Sequence, residues 1–138
     1  VLGLIRPPLH IPRATLDPIR GPLDALGVMT LALRRPLARE LVAIACDGRH
    51  RGMNLSRFTI NGDTTALLIE AIDRMIGCCS LVNGSPNVVI GVSEPEPTMS
   101  STRLADFDAA RARCHRAGIS VREWVVVTRG GASHARAQ

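Results

Sequence analysis

Four oxygen-bearing side chains are the ones this chain could use for chemistry: Glu40, Ser93, Glu94 and Asp106. Three of them cluster around one junction. Asn87-Val88-Val89-Ile90-Gly91-Val92 reads as a short apolar strand, followed by the loop Ser93-Glu94-Pro95-Glu96-Pro97-Thr98-Met99-Ser100-Ser101. In α/β proteins the loop leaving the C-terminal end of a strand is where sites are built. Glu94, Glu96 and Asp106 could form a carboxylate cluster for Mg²⁺ or Ca²⁺. The competing expectation is a solvated acidic loop stiffened by Pro95 and Pro97. The loop holds no His and no Cys, so Glu40, Ser93, Glu94 and Asp106 are candidate ligand-binding residues, with no catalytic residue and no metal ligand assigned.

The remaining reactive types are scattered. His50 falls in a turn and His115 on the polar side of a helical pattern, so both are expected in solvent; His10 and His134 lie near the ends. No two His share a metal-ligand spacing. Cys46 and Cys114 fall within apolar patterns and are expected to be buried as small hydrophobes. Cys78 and Cys79 are adjacent, a poor arrangement for bonding to each other, and no C-x-x-C pair exists. Reduced thiols of this kind suit a cytoplasmic protein. All seventeen basic residues are Arg, which excludes a Schiff-base or P-loop lysine.

The elements that must position these residues follow from the apolar pattern. Residues 1–21 are punctuated by Pro7, Pro8, Pro12 and Pro18 and read as an extended arm. A helix starts at Pro22, with Leu23, Leu26, Met29, Thr30 and Leu33 on one face, and stops at Pro36. Glu40–Cys46 is a nearly continuous apolar run, as in a strand buried on both faces. Asp47-Gly48-Arg49-His50 is a turn, and Gly52–Ile60 alternates, completing a hairpin with one wet face. Asp63 or Thr64 caps a second helix with the stripe Leu68, Ile72, Met75 and Ile76, ending at Gly77. After strand Val88–Val92, a third helix spans about 102–117, with Leu104, Phe107, Ala110, Cys114 and Ala117 on one face. Gly118 ends it, Ile119–Val127 is the last strand, and 129–138 is expected to be a loose tail. The order α-β-β-α-β-α-β predicts a single α/β domain over 22–128, a mixed central sheet flanked by helices.

Composition narrows the partners. A chain of 138 residues buries roughly two thirds of its unfolded surface, enough for a core without staples. Phe58, Phe107 and Trp124 are the whole aromatic set, so Leu, Ile, Val, Ala and Met must build that core. The net charge of +5 is uneven: residues 1–62 hold nine Arg against four acids. Arg forks could bind anions or nucleic acid, although the same bias follows from a GC-rich coding sequence, and stacking aromatics are absent. No apolar run reaches the eighteen residues or so of a membrane span, and the start is too short for a secretory signal. The chain does not begin with Met, which is expected of numbering inside a longer product.

The order and its junctions resemble the JAB/MPN domain, in the form found in RadC-type bacterial proteins, over about residues 20–128. Arg39-Glu40-Leu41-Val42 followed by Cys46-Asp47-Gly48-Arg49-His50-Arg51 is similar to that family's Glu-led first strand and turn. Val89-Ile90-Gly91-Val92-Ser93-Glu94-Pro95 stands where the family has a strand running into His-Asn-His-Pro. Gly118-Ile119 through Glu123-Trp124-Val125-Val126-Val127 resembles its last strand. The resemblance implies a zinc held by two His and an Asp, with a Glu as acid/base. Here Val92 and Glu94 stand at the two His positions, and Val92 cannot bind a metal. Asp106 is present, but Ser101 and Thr102 precede it by five and four residues, where the family has Ser-x-x-Asp. Glu40 matches the family's Glu. The expectation is therefore a metal-free, non-catalytic member without a cofactor, serving a protein partner or self-association as a homodimer. The alternatives are a hydrolase or small-ligand protein using the acidic loop, and nucleic-acid binding through the Arg-rich flanks.

Overall fold

Glu40–Cys46 forms the strand on which the architecture is built, and five of its first six residues are buried. The computed structural model describes residues 11–62, 64–79, 87–95 and 101–135, with the side chains of 101–104 outside the description. In chain order the elements are α1 (Pro22–Ala32), β1 (Glu40–Cys46), β2 (Gly52–Thr59), α2 (Thr65–Cys79), β3 (Asn87–Glu94), α3 (Ser101–Arg116), β4 (Ser120–Thr128) and β5 (Gly131–Ala135). The strands make one mixed sheet in the order β2-β1-β3-β4-β5. Only β3 and β4 run parallel, joined through α3; the other neighbours are antiparallel.

The period-two alternation of strands assigns each residue to a face. Leu41, Ala43, Val88, Ile90, Val92, Trp124 and Val126 pack with Leu68, Ile72 and Met75 of α2 and Phe107, Ala110 and Cys114 of α3. Val42, Ile44, Val89, Val125 and Val127 pack on the other face with Ala25 and Met29 of α1, and with Ile19. The result is three layers: α1, the sheet, then α2 with α3. Trp124 meets Phe107 in the α2/α3 core, with ring centroids 5.7 Å apart and planes inclined at 58°.

Local chemistry sets the boundaries. Thr64 caps α2, its Oγ1 accepting the Leu67 N–H at 3.3 Å. Gly118, at φ 79°, ends α3 in the left-handed region, where a Cβ is costly. In the β1–β2 turn, Asp47 Oδ1 accepts the N–H groups of Arg49 and Arg51, both at 2.9 Å.

Several expectations are corrected. Residues 129–135 are not a loose tail: Gly131–Ala135 pairs with β4 through a turn in which Thr128 Oγ1 accepts the Gly130 N–H at 3.1 Å, and 136–138 lie outside the described residues. The strand Gly-Ala-Ser-His-Ala has too few large apolar residues to announce itself. Residues 11–21 are not an independent arm: Thr15 N–H donates to Gly52 O at 3.0 Å, Ile19 N–H donates to His50 O at 2.7 Å, and Ile19 is buried. Residues 1–10 lie outside the described residues, as do Asp63, Glu96 and the rest of 96–100. Helix α2 continues through Gly77 to Cys79. Ala117 is exposed beyond the end of α3. On the expected face of helix α1, Met29 and Leu33 are buried but Leu23 is 68 % exposed, and the small residues Ala25 and Gly27 are buried instead. Small residues allow close approach to the sheet, and Met29 fills the space above Gly91, where an added Cβ would lie 2.7 Å from Met29 Cγ.

Candidate functional site

The crevice beyond the C-terminal ends of the parallel strands β3 and β4 is where an α/β sheet offers a site. Because β1 is antiparallel to β3, its first residue, Glu40, also arrives there, paired with Ser93. The beginnings of α2 and α3 complete the end of the molecule. All four candidate residues are therefore at one end of the sheet, and all are buried: Glu40, Ser93, Glu94 and Asp106.

Strand alternation then separates them into two groups. Glu40 and Ser93 belong to the α1 face. Glu40 Oε1 accepts from Arg57 Nη1 at 2.7 Å and from the Arg34 N–H at 3.1 Å. Ser93 Oγ accepts the Glu40 N–H at 3.2 Å and donates to Ala38 O. Glu94 and Asp106 belong to the α2/α3 face, together with Val92. There they converge on Arg39, which sequence reasoning quoted without assigning it a role. Arg39 Nε donates to Glu94 Oε1 at 3.1 Å, and Arg39 Nη2 lies 3.8 Å from Asp106 Oδ2. Arg39 Nη1 donates to Gly62 O and, at 3.4 Å, to Thr64 O. Thr65 Oγ1 donates to Asp106 Oδ1.

The expected loop after Val92 is thus corrected at its start. Ser93 and Glu94 are the last two residues of β3, and Glu94 is 4 % exposed rather than solvated. A buried carboxylate requires a partner, and the guanidinium of Arg39 supplies one to two acids at once. The signal that could have found this is an Arg directly before a buried strand that aligns with a strand ending in an acid. Among the described residues, no group of three or more His, Cys, Asp or Glu side chains could hold a metal ion.

The thiols are no better placed for chemistry. Burial pushes the Cys114 thiol up to about 12, with Cys79 and Asp73 adding to the shift. Burial also raises Cys46 and Cys79. A thiolate nucleophile needs the reverse shift. Cys78 alone is exposed. His50, His115 and His134 are exposed, as expected for the first two.

A different feature lies on the α1 face, and the sequence reading did not single it out. A groove of about 170 Å³ runs between residues 12–19, Val28 of α1, and Gly52–Leu55 of β2. Its wall residues Met53 and Leu55 are 52 % and 47 % exposed, Leu16 is exposed within segment 12–19, and Leu23 and Leu31 are exposed on α1. The alternation in Gly52–Ile60 predicts one wet face, but Met53, Asn54 and Leu55 are all exposed, so the apolar Met53 and Leu55 are not sheltered from water.

Compared with known proteins, the chain matches no family model, no curated protein and no solved structure at a significant level. Its fold is a mixed α/β sheet flanked by helices. No helix among the described residues is long and apolar enough to cross a membrane.

Proposed function

We propose that this domain is a non-catalytic protein-interaction or regulatory module on a metal-free α/β scaffold. One observation carries the reading. The acids at the sheet end are held by Arg39 in a buried ion pair, while large apolar side chains stand exposed on the α1 layer. A guanidinium between Glu94 and Asp106 occupies the position a substrate or metal would need. Exposed apolar residues gathered on one layer are the mark of an interaction surface.

The zinc arrangement implied by the JAB/RadC-like resemblance gathers its Glu, two His and Asp around one ion. Glu40 lies across the sheet from Val92, Glu94 and Asp106, so the proposal rests on surfaces and not on that ancestry. A hydrolase or small-ligand protein built on Glu94 and Asp106 would first have to displace Arg39. Nucleic-acid binding has one observation in its favour: Arg20, Arg34, Arg35 and Arg49 are exposed and have no acidic partner among the described residues. It lacks a stacking platform, because Phe107 and Trp124 are core residues and Phe58 packs against the α2/α3 core.

The test combines metal analysis with affinity capture. The module reading expects no stoichiometric zinc, and a protein ligand retained by the wild-type chain that Met53→Asp and Leu55→Asp release. Equimolar zinc in the purified protein, with hydrolysis of an amide substrate, would overturn it.

A further inference from the structure

The outer edge of β2 is the feature that says what kind of partner fits. β2 ends the sheet and has β1 as its sole strand neighbour among the described residues. The Ile60 N–H turns inward to Arg39 O at 3.1 Å, and Thr59 O turns outward to Arg74 Nη2 at 2.7 Å. Period-two alternation then turns the backbone groups of Leu55 and Arg57 outward, away from β1. Among the described residues, 15–19 hydrogen-bond to the start of the strand, through Gly52 and the preceding turn, and 12–17 flank the groove beside Met53–Leu55. From Met53 to Phe58 the edge has neither Lys nor Pro, the usual guards against strand addition. Its one charge, Arg57, is committed to Glu40 and to Ala32 O.

Charge selects among possible strands. The four acids of residues 11–62 are all engaged: Asp17 with Arg13, Asp47 with Arg51, Glu40 with Arg57, and Asp24 accepting the Arg20 N–H. Arg20 and Arg49 stand near the Gly52 end of the edge, following Ile19 and within the turn. Arg34 and Arg35 stand near the Arg57 end, where the Arg34 N–H reaches the same Glu40 carboxylate. Free cations thus flank both ends of an apolar edge. A second copy of this chain would bring a net charge of +5 and the same arginines, and so is disfavoured. The groove, at about 170 Å³, is below the roughly 300–1,000 Å³ of drug-sized ligand sites, and suits one apolar side chain of a peptide.

We infer that β2 accepts an extended acidic peptide segment of a partner protein as an added strand, which seats an apolar side chain in the groove between Ile19, Val28 and Leu55. The inference rests on the interaction-module reading and names its ligand. Main-chain hydrogen bonds to Leu55 and Arg57 give the affinity, and the groove and flanking arginines give the selection.

The probe is a labelled heptapeptide, Asp-Val-Asp-Leu-Asp-Val-Asp, titrated into the full chain and followed by fluorescence anisotropy. Its controls are a copy with Lys in place of Asp and a copy N-methylated at the central Leu amide. The acidic peptide should saturate one site and weaken steeply with salt. Each control, and the Leu55→Asp variant, should lose about tenfold or more in affinity. Since Leu55 is half exposed, its substitution leaves the core intact. Hydrogen exchange on the wild-type chain gives an independent readout, with peptide-dependent protection at the Leu55 and Arg57 amides. Equal binding of the Lys peptide, indifference to Leu55→Asp, absence of binding, or a β2-mediated dimer of the chain would each overturn the inference. In a zinc-free chain these failures leave the module reading standing, whereas equimolar zinc removes that reading itself.

Discussion

Arg39 Nε and Glu94 Oε1 lie 3.1 Å apart, with both side chains less than a tenth exposed. The residue before the first strand thus neutralises the residue ending the third, and the same guanidinium reaches the beginnings of α2 and α3. Removing one partner of a buried pair leaves an uncompensated charge. Arg39→Met should therefore destabilise the domain by about 3–5 kcal/mol. Arg39→Met combined with Glu94→Gln and Asp106→Asn should recover much of that loss, because no charge is then left alone. Urea unfolding of the single and triple variants checks both outcomes.

Gly91 is packed from above by Met29, whose Sδ and Cγ would meet any added Cβ. Gly91→Ala should cost about 1–3 kcal/mol through overpacking. In the background of Met29→Ala the same change should cost little or stabilise, since the space is then empty. A double-mutant cycle by thermal unfolding that gave simple additivity would contradict this packing.

Cys78 alone should react quickly with a thiol reagent in the native protein, because Cys46, Cys79 and Cys114 are buried. The raised Cys114 thiol also makes stability depend on pH in one direction. Unfolded, it ionises near the ordinary 9.0; folded, it stays neutral to about 12. The unfolded state therefore releases the proton first, so this contribution is intact below pH about 9 and is lost progressively from there toward pH about 12. Cys114→Ala should flatten that decline in a stability-versus-pH series, whatever it costs at neutral pH.

Asp47 carries the opposite sign. The Arg51 N–H, with the Arg51 guanidinium and the Arg49 N–H, holds its carboxyl below the usual carboxylate range. Its contribution is present above the unfolded value near 3.8 and is lost as pH falls through the lower folded value. Asp47→Ala should remove this part of the acid sensitivity and loosen the β1–β2 turn. Exchange of the Arg49 and Arg51 amides would report the loosening directly.

Much of this fold is written in local patterns. The nearly continuous apolar run Glu40–Cys46 reads as a strand covered on both faces, and it lies second in the sheet with helices on either side. Thr64 and Gly118 mark helix ends through backbone chemistry that depends on a few neighbouring residues. β5 escaped notice because a five-residue strand of Gly, Ala, Ser and His has no pattern of its own and forms by borrowing the edge of β4. On α1, counting large apolar residues pointed to Met29 and Leu33, which are buried, but also to Leu23, which is exposed, whereas close approach to the sheet favours the small residues Ala25 and Gly27.

The candidate site divides in the same way. The sequence by itself determined that Ser93 and Glu94 follow a buried strand, that Glu40 opens another, and that the stretch after Val92 holds no His, since these are properties of order and residue type; that β3 runs on through Glu94 was not among them. Only the tertiary structure decided what became of the acids. A strand's pleat sends adjacent side chains to opposite faces, and pairing Glu40 with Ser93 therefore put Glu40 across the sheet from Glu94. The same register brought Arg39, from 55 residues earlier in the chain, onto Glu94. Long-range pairing of this kind depends on strand order and register, which no local stretch of sequence contains.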